Sequence, residues 1–409
     1  MSLWKAKLSG CLNMKGSEEM SKIYNNIKKN YFFQFIRGTS LSEAIWVLFL
    51  ASRGMSLIEI GLMESIFHTT GMLMEIPTGF IADQYGRRIS RVIGRLFAFI
   101  SCVVMIASRD FWGFAIGFIL NSLSYSLESG AGDALVYDSL VQCGREDEYM
   151  KVRGREEICF QSAHIISLVA GGAVATFSFE LAYAITALIH LTALGISMSM
   201  EEPVISEKQK ADSIFQHMNE SLKAVWANRN VLPYIFHLEI FSVCFMTLYF
   251  YFQNFMKSKG YLEYQIGILL AATSVMGALM SLVSYRIEKW IGKRKVILLT
   301  GLLPGLMFLI LALTSAEPVL MMLLSALEGF MFVIFGDYIN KLIPSEYRAT
   351  ILSFEAMIYS VAMIAFFPII GAVSENYSFK TAFSIIAGVS LATGCLTAAV
   401  LLKKDKEQI

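Results

Sequence analysis

The amino-acid sequence predicts an all-α polytopic membrane protein, with twelve transmembrane helices in two six-helix pseudo-symmetric halves. Three observations carry this expectation. First, apolar stretches of spanning length fill the chain, of which 56% is hydrophobic and 16% charged. A soluble fold cannot hide that much apolar surface, whereas lipid accommodates it. Second, basic residues concentrate in every other connection. Third, a pattern near residues 60–88 recurs 206 positions later.

The spans cover approximately 32–52, 57–82, 89–107, 111–137, 157–178, 181–200, 231–255, 264–285, 295–315, 318–341, 349–371 and 378–402. Each meets or approaches the ~20 residues that cross hydrocarbon as a helix. Ahead of them, residues 1–30 carry six lysines and no long apolar core. Without an h-region or cleavage site this segment reads as a cytosolic tail, not a signal peptide. Residues 31–200 then form one six-helix bundle, 230–402 the second, and 403–409 a cytosolic tail. Segment 201–229 is a cytoplasmic linker, and Ile214, Met218, Leu222 and Val225 at near-helical spacing predict an interfacial helix within it. Ser56 and Glu59 have capping-box spacing at the start of span two. Pro233 and Pro318 fall in first turns, where a missing N–H costs little. Pro77, Pro304 and Pro368 lie inside spans and are expected to bend them.

Orientation follows the positive-inside rule. With the N-terminus inside, the cytoplasmic segments collect the tail lysines, Arg87, Arg88, Arg91 and the basic residues of 142–156, 201–229, 286–295, 341–348 and 403–406. The outer loops keep Arg53, Arg109, Lys257, Lys259 and Lys380, and Arg37 and Arg95 remain inside the membrane. Both termini are therefore expected in the cytoplasm.

Within the repeat, Ile60, Gly61, Gly71 and Met74 align with Ile266, Gly267, Gly277 and Met280. Gly86-Arg87-Arg88 aligns with Gly292-Lys293-Arg294. Six spans per half keep both halves in the same orientation, as parallel repeats. Such halves rock about a midline cavity.

Between spans two and three lies Gly79-Phe80-Ile81-Ala82-Asp83-Gln84-Tyr85-Gly86-Arg87-Arg88. Gly79 allows close helix approach and Gly86 a tight turn. Asp83 can accept N–H groups at another helix's N-terminus or pair with a base. Arg87 and Arg88 can reach an acid at the membrane edge, for which Asp138 is the candidate. This decapeptide resembles the signature loop of the major facilitator superfamily, and the resemblance extends over roughly 31–402. Glu75-Ile76-Pro77-Thr78 and Ala134-Leu135-Val136-Tyr137-Asp138-Ser139 are similar to stretches of its bacterial members. Gln84 departs from the basic residue usual there, and Tyr285 and Lys289 replace the glycine and aspartate in the second copy. The resemblance implies the major facilitator fold and a latch of Gly79, Asp83, Gly86, Arg87, Arg88 and Asp138 that holds the halves outward-facing. Anchoring of orientation alone is the alternative role of the arginines.

Carboxylates inside a membrane face an interior or a cavity. Glu43 lies in span one. In span two, Glu64, His68, Gly71 and Glu75 share one helical stripe. Span four holds Glu128 and Asp133, span seven Glu239, span ten Glu328 and Asp337, and span eleven Glu355. Glu43, Glu64, His68, Glu75, Glu128, Asp133, Glu239 and Glu328 are the candidates for proton coupling or the substrate cavity. A structural pair with Arg37 or Arg95, or helix packing, is the competing role for each, and His164 stands with His68 as a near-neutral titrating group. Trp46, Phe245, Tyr249 and Phe252 suit either an apolar cavity wall or packing.

Net charge of +1 offers no basis for nucleic-acid binding, and the six dispersed cysteines have no metal-site spacing. No ATP-binding loop is present, nor a nucleophile–base pair, so an enzyme is not expected and no cofactor is implied beyond protons as coupling ion. The expected partners are a small-molecule substrate and membrane lipid, with no obligatory protein partner and a functional monomer in the bacterial inner membrane. An acidic, aromatic and methionine-rich interior favours an amphipathic or cationic solute, and family analogy gives proton-coupled export. Span five carries Leu168-Val169-Ala170-Gly171-Gly172-Ala173 without the Gly-Pro pair common in drug antiporters. Symport or facilitated uptake, and a sensor or lipid-handling protein of the same fold, remain the alternatives.

Overall fold

The computed structural model describes residues 2–203, 228–343 and 348–407. They form α1 (Ser2–Gly38), a 3-10 turn (Leu41–Ala44), α2 (Trp46–Ser52), α3 (Leu57–Tyr85), α4 (Arg87–Ala107) and α5 (Phe111–Gln142). The first half ends with α6 (Tyr149–Ala175) and α7 (Phe179–Ser199). The second half comprises α8 (Leu232–Ser258), α9 (Glu263–Ile291), α10 (Lys293–Leu313), α11 (Glu317–Leu342), α12 (Arg348–Asn376) and α13 (Phe379–Glu407). Among the described residues nine helices, α4 and α6 to α13, are long and apolar enough to span a membrane. The other three expected spans are α3 and α5, each carrying several ionisable groups, and the broken first span. The expected linker helix at 214–225 lies outside the described residues.

The repeat is visible in the helix boundaries. Ser52 and Ser258 end helices 206 positions apart, and the same offset relates the starts Leu57 and Glu263, Arg87 and Lys293, and Phe111 and Glu317. Gly86 (φ 108°) and Gly292 (φ 86°) make the two matching breaks. The capping box forms as expected: Ser56 Oγ accepts from Glu59 N–H at 3.2 Å, and Glu59 accepts from Ser56 N–H at 2.8 Å.

Two features differ from the sequence expectation. Span one is not a continuous helix. It breaks after Gly38 into the 3-10 turn, and the freed backbone groups find side chains of the same half. Ser167 Oγ donates to Ser40 O at 2.6 Å, and Ser42 N–H donates to Thr186 Oγ1 at 3.1 Å. Irregular backbone at membrane depth persists only with such replacements. The N-terminal segment, expected as a tail to residue 30, is helical and packs well before that boundary. Ile23, Asn26, Ile27 and Asn30 are buried, and Asn26 bonds Ser139 and both backbone groups of Glu201.

The halves meet along α3 with α12 and α6 with α9, a pair of contacts that the repeat exchanges. On α3, Leu57, Gly61, Ser65 and His68 descend against Gly371, Pro368, Ile364 and Ser360 of α12. On α6, Leu168, Gly172 and Thr176 meet Gly267, Glu263 and Tyr264 of α9. Both seams lie at the far end, opposite the termini. A Cβ at Gly61 would overlap Pro368, and one at Gly267 would overlap the Leu168 carbonyl, so this aligned pair sits where the halves approach closely. Among the described residues α5 and α11 do not join this contact, and the space between the halves opens towards the termini.

Replacing Gly267 with leucine should wedge the far end open at a cost of about 1–3 kcal/mol to the closed arrangement. Spin labels at the exposed loop positions Phe177 and Tyr377, in a background without native cysteines, should gain a longer-distance population. An unchanged distribution would refute the packing role.

Candidate functional site between the halves

The break in span one brings Glu43 within electrostatic range of Tyr249 in the second half. Tyr125 Oη donates to Glu43 Oε1 at 2.7 Å, and His164 Nδ1 stands 3.5 Å from Oε2. The Arg37 guanidinium lies over the rings of Phe160 (5.0 Å) and Tyr125 (5.9 Å). Glu43 thus has bases and a hydroxyl around it while a third of its side chain remains exposed.

The α3 stripe divides. Glu64 and His68 lie at the seam, with His68 Nε2 3.4 Å from Glu64 Oε1 and Nδ1 3.2 Å from Ser360 Oγ. Gly71 packs towards Ser122 of α5, and Glu75 is exposed.

In the second half, Glu239 of α8 and Glu355 of α12 lie within interaction range of one another, with Glu328 of α11 close enough to add its charge to Glu239. Two carboxyl groups close together disfavour a state in which both are charged, and a proton shared by the pair relieves it. The lysines and arginines of this half sit at helix ends. Towards the far end, aromatic rings from both halves close the space. Trp46 meets Phe250 at 5.1 Å and Phe367 at 6.4 Å, and Tyr249 packs on Phe250 at 5.7 Å.

Glu128 and Asp133 are held elsewhere. Glu128 is buried inside the first half, its Oε1 2.8 Å from Arg91 Nη2 in a contact too bent for a hydrogen bond, while Arg91 Nε donates to Oε2 at 3.3 Å. Arg91, expected at the basic membrane edge, is instead fully buried and covers the Phe33 ring at 4.0 Å. Asp133 pairs with Arg153 at 2.7 Å, which also holds Glu156 at 2.9 Å.

The signature loop is tied within its own half. Asp83 pairs with Arg87, whose Nε is 3.8 Å from Asp138 Oδ2. Asp83 does not cap a helix. The α4 N-terminus is capped by Glu202, which accepts from Arg87 N–H at 2.6 Å and Arg88 N–H at 2.8 Å, a favourable place for an anion. Arg88 also donates to Met198 O at 2.6 Å. Gly79 faces open space here. Sequence reasoning missed Glu202, and its nearest signal was an acidic pair directly after a span. It also left out Tyr125 and Ser360, and Glu355 as a site residue.

A family model described as Major Facilitator Superfamily matches residues 30–354. The chain belongs to the major facilitator superfamily. It is similar to the uncharacterized MFS-type transporter YxaM of Bacillus subtilis (strain 168), 24% identical over 369 residues, covering 87% of this chain and 91% of that protein. Multidrug resistance protein 1 of the same organism is 23% identical over 373 residues, 88% and 93% of the two chains. Among solved structures, the nucleoside transporter NupG aligns with a TM-score of 0.74 at 15% identity, over 92% of this chain and 98% of that one. A D-xylose-proton symporter aligns with a TM-score of 0.72 at 13% identity, over 93% and 98%. As a major facilitator the protein is a multi-pass membrane secondary transporter, not an enzyme.

Removing one partner of the buried Arg91–Glu128 pair strands the other charge. Glu128→Ala should lower stability by about 3–5 kcal/mol, read as a fall in thermal unfolding temperature in detergent. The double replacement Arg91→Met with Glu128→Leu should recover much of it. A silent single mutant would contradict the structural assignment.

Proposed function

We propose that this transporter exchanges protons for an amphipathic or cationic small molecule, exporting it by alternating access. The observation that carries the reading is the Glu239–Glu355 pair with Glu328 beside it, without a lysine or arginine among the described residues of that half's membrane interior. A carboxyl pair that holds a proton in the absence of a base can hold a cation in its place, so proton and substrate exclude one another. The aromatic closure at Trp46, Tyr249, Phe250 and Phe367 offers π-faces to an apolar cation. Similarity to a protein named for multidrug resistance supports export.

Glu43 supplies the first-half wall of the cavity and Glu64 with His68 the seam. The basic residue distribution supports termini in the cytoplasm, and with that orientation this conformer is closed outside and open inside. Asp83, Arg87, Arg88, Asp138 and Glu202 hold the signature loop at the inner edge, where it is available to latch the second half when the inner end closes. One chain supplies both walls, so a monomer in the bacterial inner membrane suffices, with lipid as its surroundings.

The test is reconstitution in proteoliposomes with an imposed pH gradient, recording proton movement while organic cations are screened. Solute and protons should move in opposite directions, and collapse of the gradient should suppress both fluxes. Glu239→Gln should weaken cation binding about 10–100-fold, the loss expected for a charged hydrogen-bond partner. Co-directional movement would replace export with symport.

A further inference from the structure

We propose that His68 is a proton-binding clip between the halves: it bonds Ser360 across the seam, and proton uptake by the Glu64–His68 pair favours closure of the far end. The proposal rests on the proton-coupled reading above and gives it a mechanical element.

The position of His68 is what singles it out. Leu57, Gly61, Ser65 and His68 are successive rungs of α3 against α12, and His68 is the one farthest from the outer end of α3. The upper rungs bond through backbone carbonyls: Tyr251 Oη donates to Leu57 O at 2.9 Å, and Ser65 Oγ donates to Ile364 O at 2.8 Å. Those groups do not titrate near neutral pH. At the lowest rung an imidazole touches a carboxylate of its own half, Glu64 at 3.4 Å, and a hydroxyl of the other, Ser360 at 3.2 Å. Tyr359 packs its ring edge against the imidazole at 5.6 Å, and Phe67 lies on its other side at 5.6 Å. Tyr359 in turn faces the charges of Glu64, Glu239 and Glu328, and Glu355, one turn before Tyr359 on α12, lies beside Glu239.

The hydroxyl lets the clip keep its bond in either charge state. In the neutral ring, Nε2–H points at Glu64 and Nδ1 accepts the Ser360 hydroxyl proton. After proton uptake both nitrogens donate, Glu64 is paired with a cation, and Ser360 turns to accept. The bond to Ser360 then involves an ionised donor, which makes it stronger than the neutral bond it replaces. When α12 moves away, that strengthened bond is lost while Glu64 stays on α3. Proton uptake must therefore favour the arrangement in which α12 is present. In an exporter this is the productive sign: a proton arriving from outside closes the outer end and turns the cavity inward, where the substrate waits.

The test reads conformation without any substrate. Spin labels at Phe177 and Tyr377 report the far-end distance in nanodiscs between about pH 5 and pH 8. In the unaltered protein the closed-to-open ratio should fall about five- to tenfold across this range, the difference between a charged and a neutral hydrogen bond. His68→Gln, which can still bond Ser360 but cannot titrate, should remove most of that change. Ser360→Ala should shift the population to open at low pH, and Ser360→Thr should restore closure. A ratio that does not vary with pH, or a His68→Gln protein that keeps the full response, overturns the clip. The proteoliposome experiment can still find antiport in that event, so loss of the clip and loss of the transport reading are distinguishable.

Discussion

A carboxylate drawn into hydrocarbon needs either a partner or water, and the two halves of this protein meet that requirement differently. The first half pairs most of its membrane acids internally. Glu128 has Arg91, Asp133 and Glu156 share Arg153, and Glu43 has Tyr125 and His164. A buried ion pair contributes little net stability, because desolvation cancels most of the attraction, but breaking one is costly. The first half is accordingly bound to keep its internal geometry through a transport cycle. The second half leaves Glu239, Glu328 and Glu355 to each other. Their charge balance depends on what enters the space between the halves, and that dependence is what lets an ion or a substrate drive a conformational change.

The seams that join the halves are built to part. Among the described residues their polar contacts include single hydrogen bonds donated by the Tyr251 and Ser65 hydroxyls and the Tyr264 amide, one between His68 and Ser360, and one that Glu375 accepts from Ile58 N–H. Close glycine contact at Gly61 and Gly267 supplies dispersion and shape rather than charge. Such bonds are easily replaced by water when a seam opens, whereas a buried inter-half ion pair would resist separation. The signature loop works in the same spirit: with Glu202 on the α4 N-terminus and Arg87 between Asp83 and Asp138, its charges are held within its own half.

Much of this architecture was legible in the sequence because it depends on composition and local spacing. The spans, the 206-residue repeat and the Ser56–Glu59 cap follow from local pattern, and one of the aligned glycine pairs, Gly61 and Gly267, lies where the halves touch. What escaped depends on contacts between distant positions. Arg91 reads as an edge residue because it follows Arg87 and Arg88, yet one helical turn carries it inside to meet Glu128, 37 positions away. Glu202 lies 115 positions from the N–H it caps. His68 was visible as an imidazole on a stripe, but Ser360, 292 positions on, gives it a partner in the other half.

The break in span one shows how far the halves have diverged on a shared scaffold. Glu43 aligns with Tyr249 at the repeat offset, and Tyr249 lies inside the unbroken α8. Glu64 aligns with Leu270, while Glu239 and Glu328 align with Phe33 and Ser122. The repeat therefore preserves helix boundaries and seam glycines while none of these four acids has an acidic counterpart. The break needs Ser167 and Thr186, 127 and 144 positions from the backbone groups they satisfy. Without them, the opened turn would leave peptide groups unpaired at membrane depth, which costs several kcal/mol for each group. Because both hydroxyls belong to the first half, the turn that carries Glu43 moves with its own bundle when the halves rock. Glu43 is thereby fixed relative to Arg37, Tyr125 and His164 and mobile relative to Glu239 and Glu355, so one wall of the cavity keeps a constant charge pattern while its distance from the other wall changes.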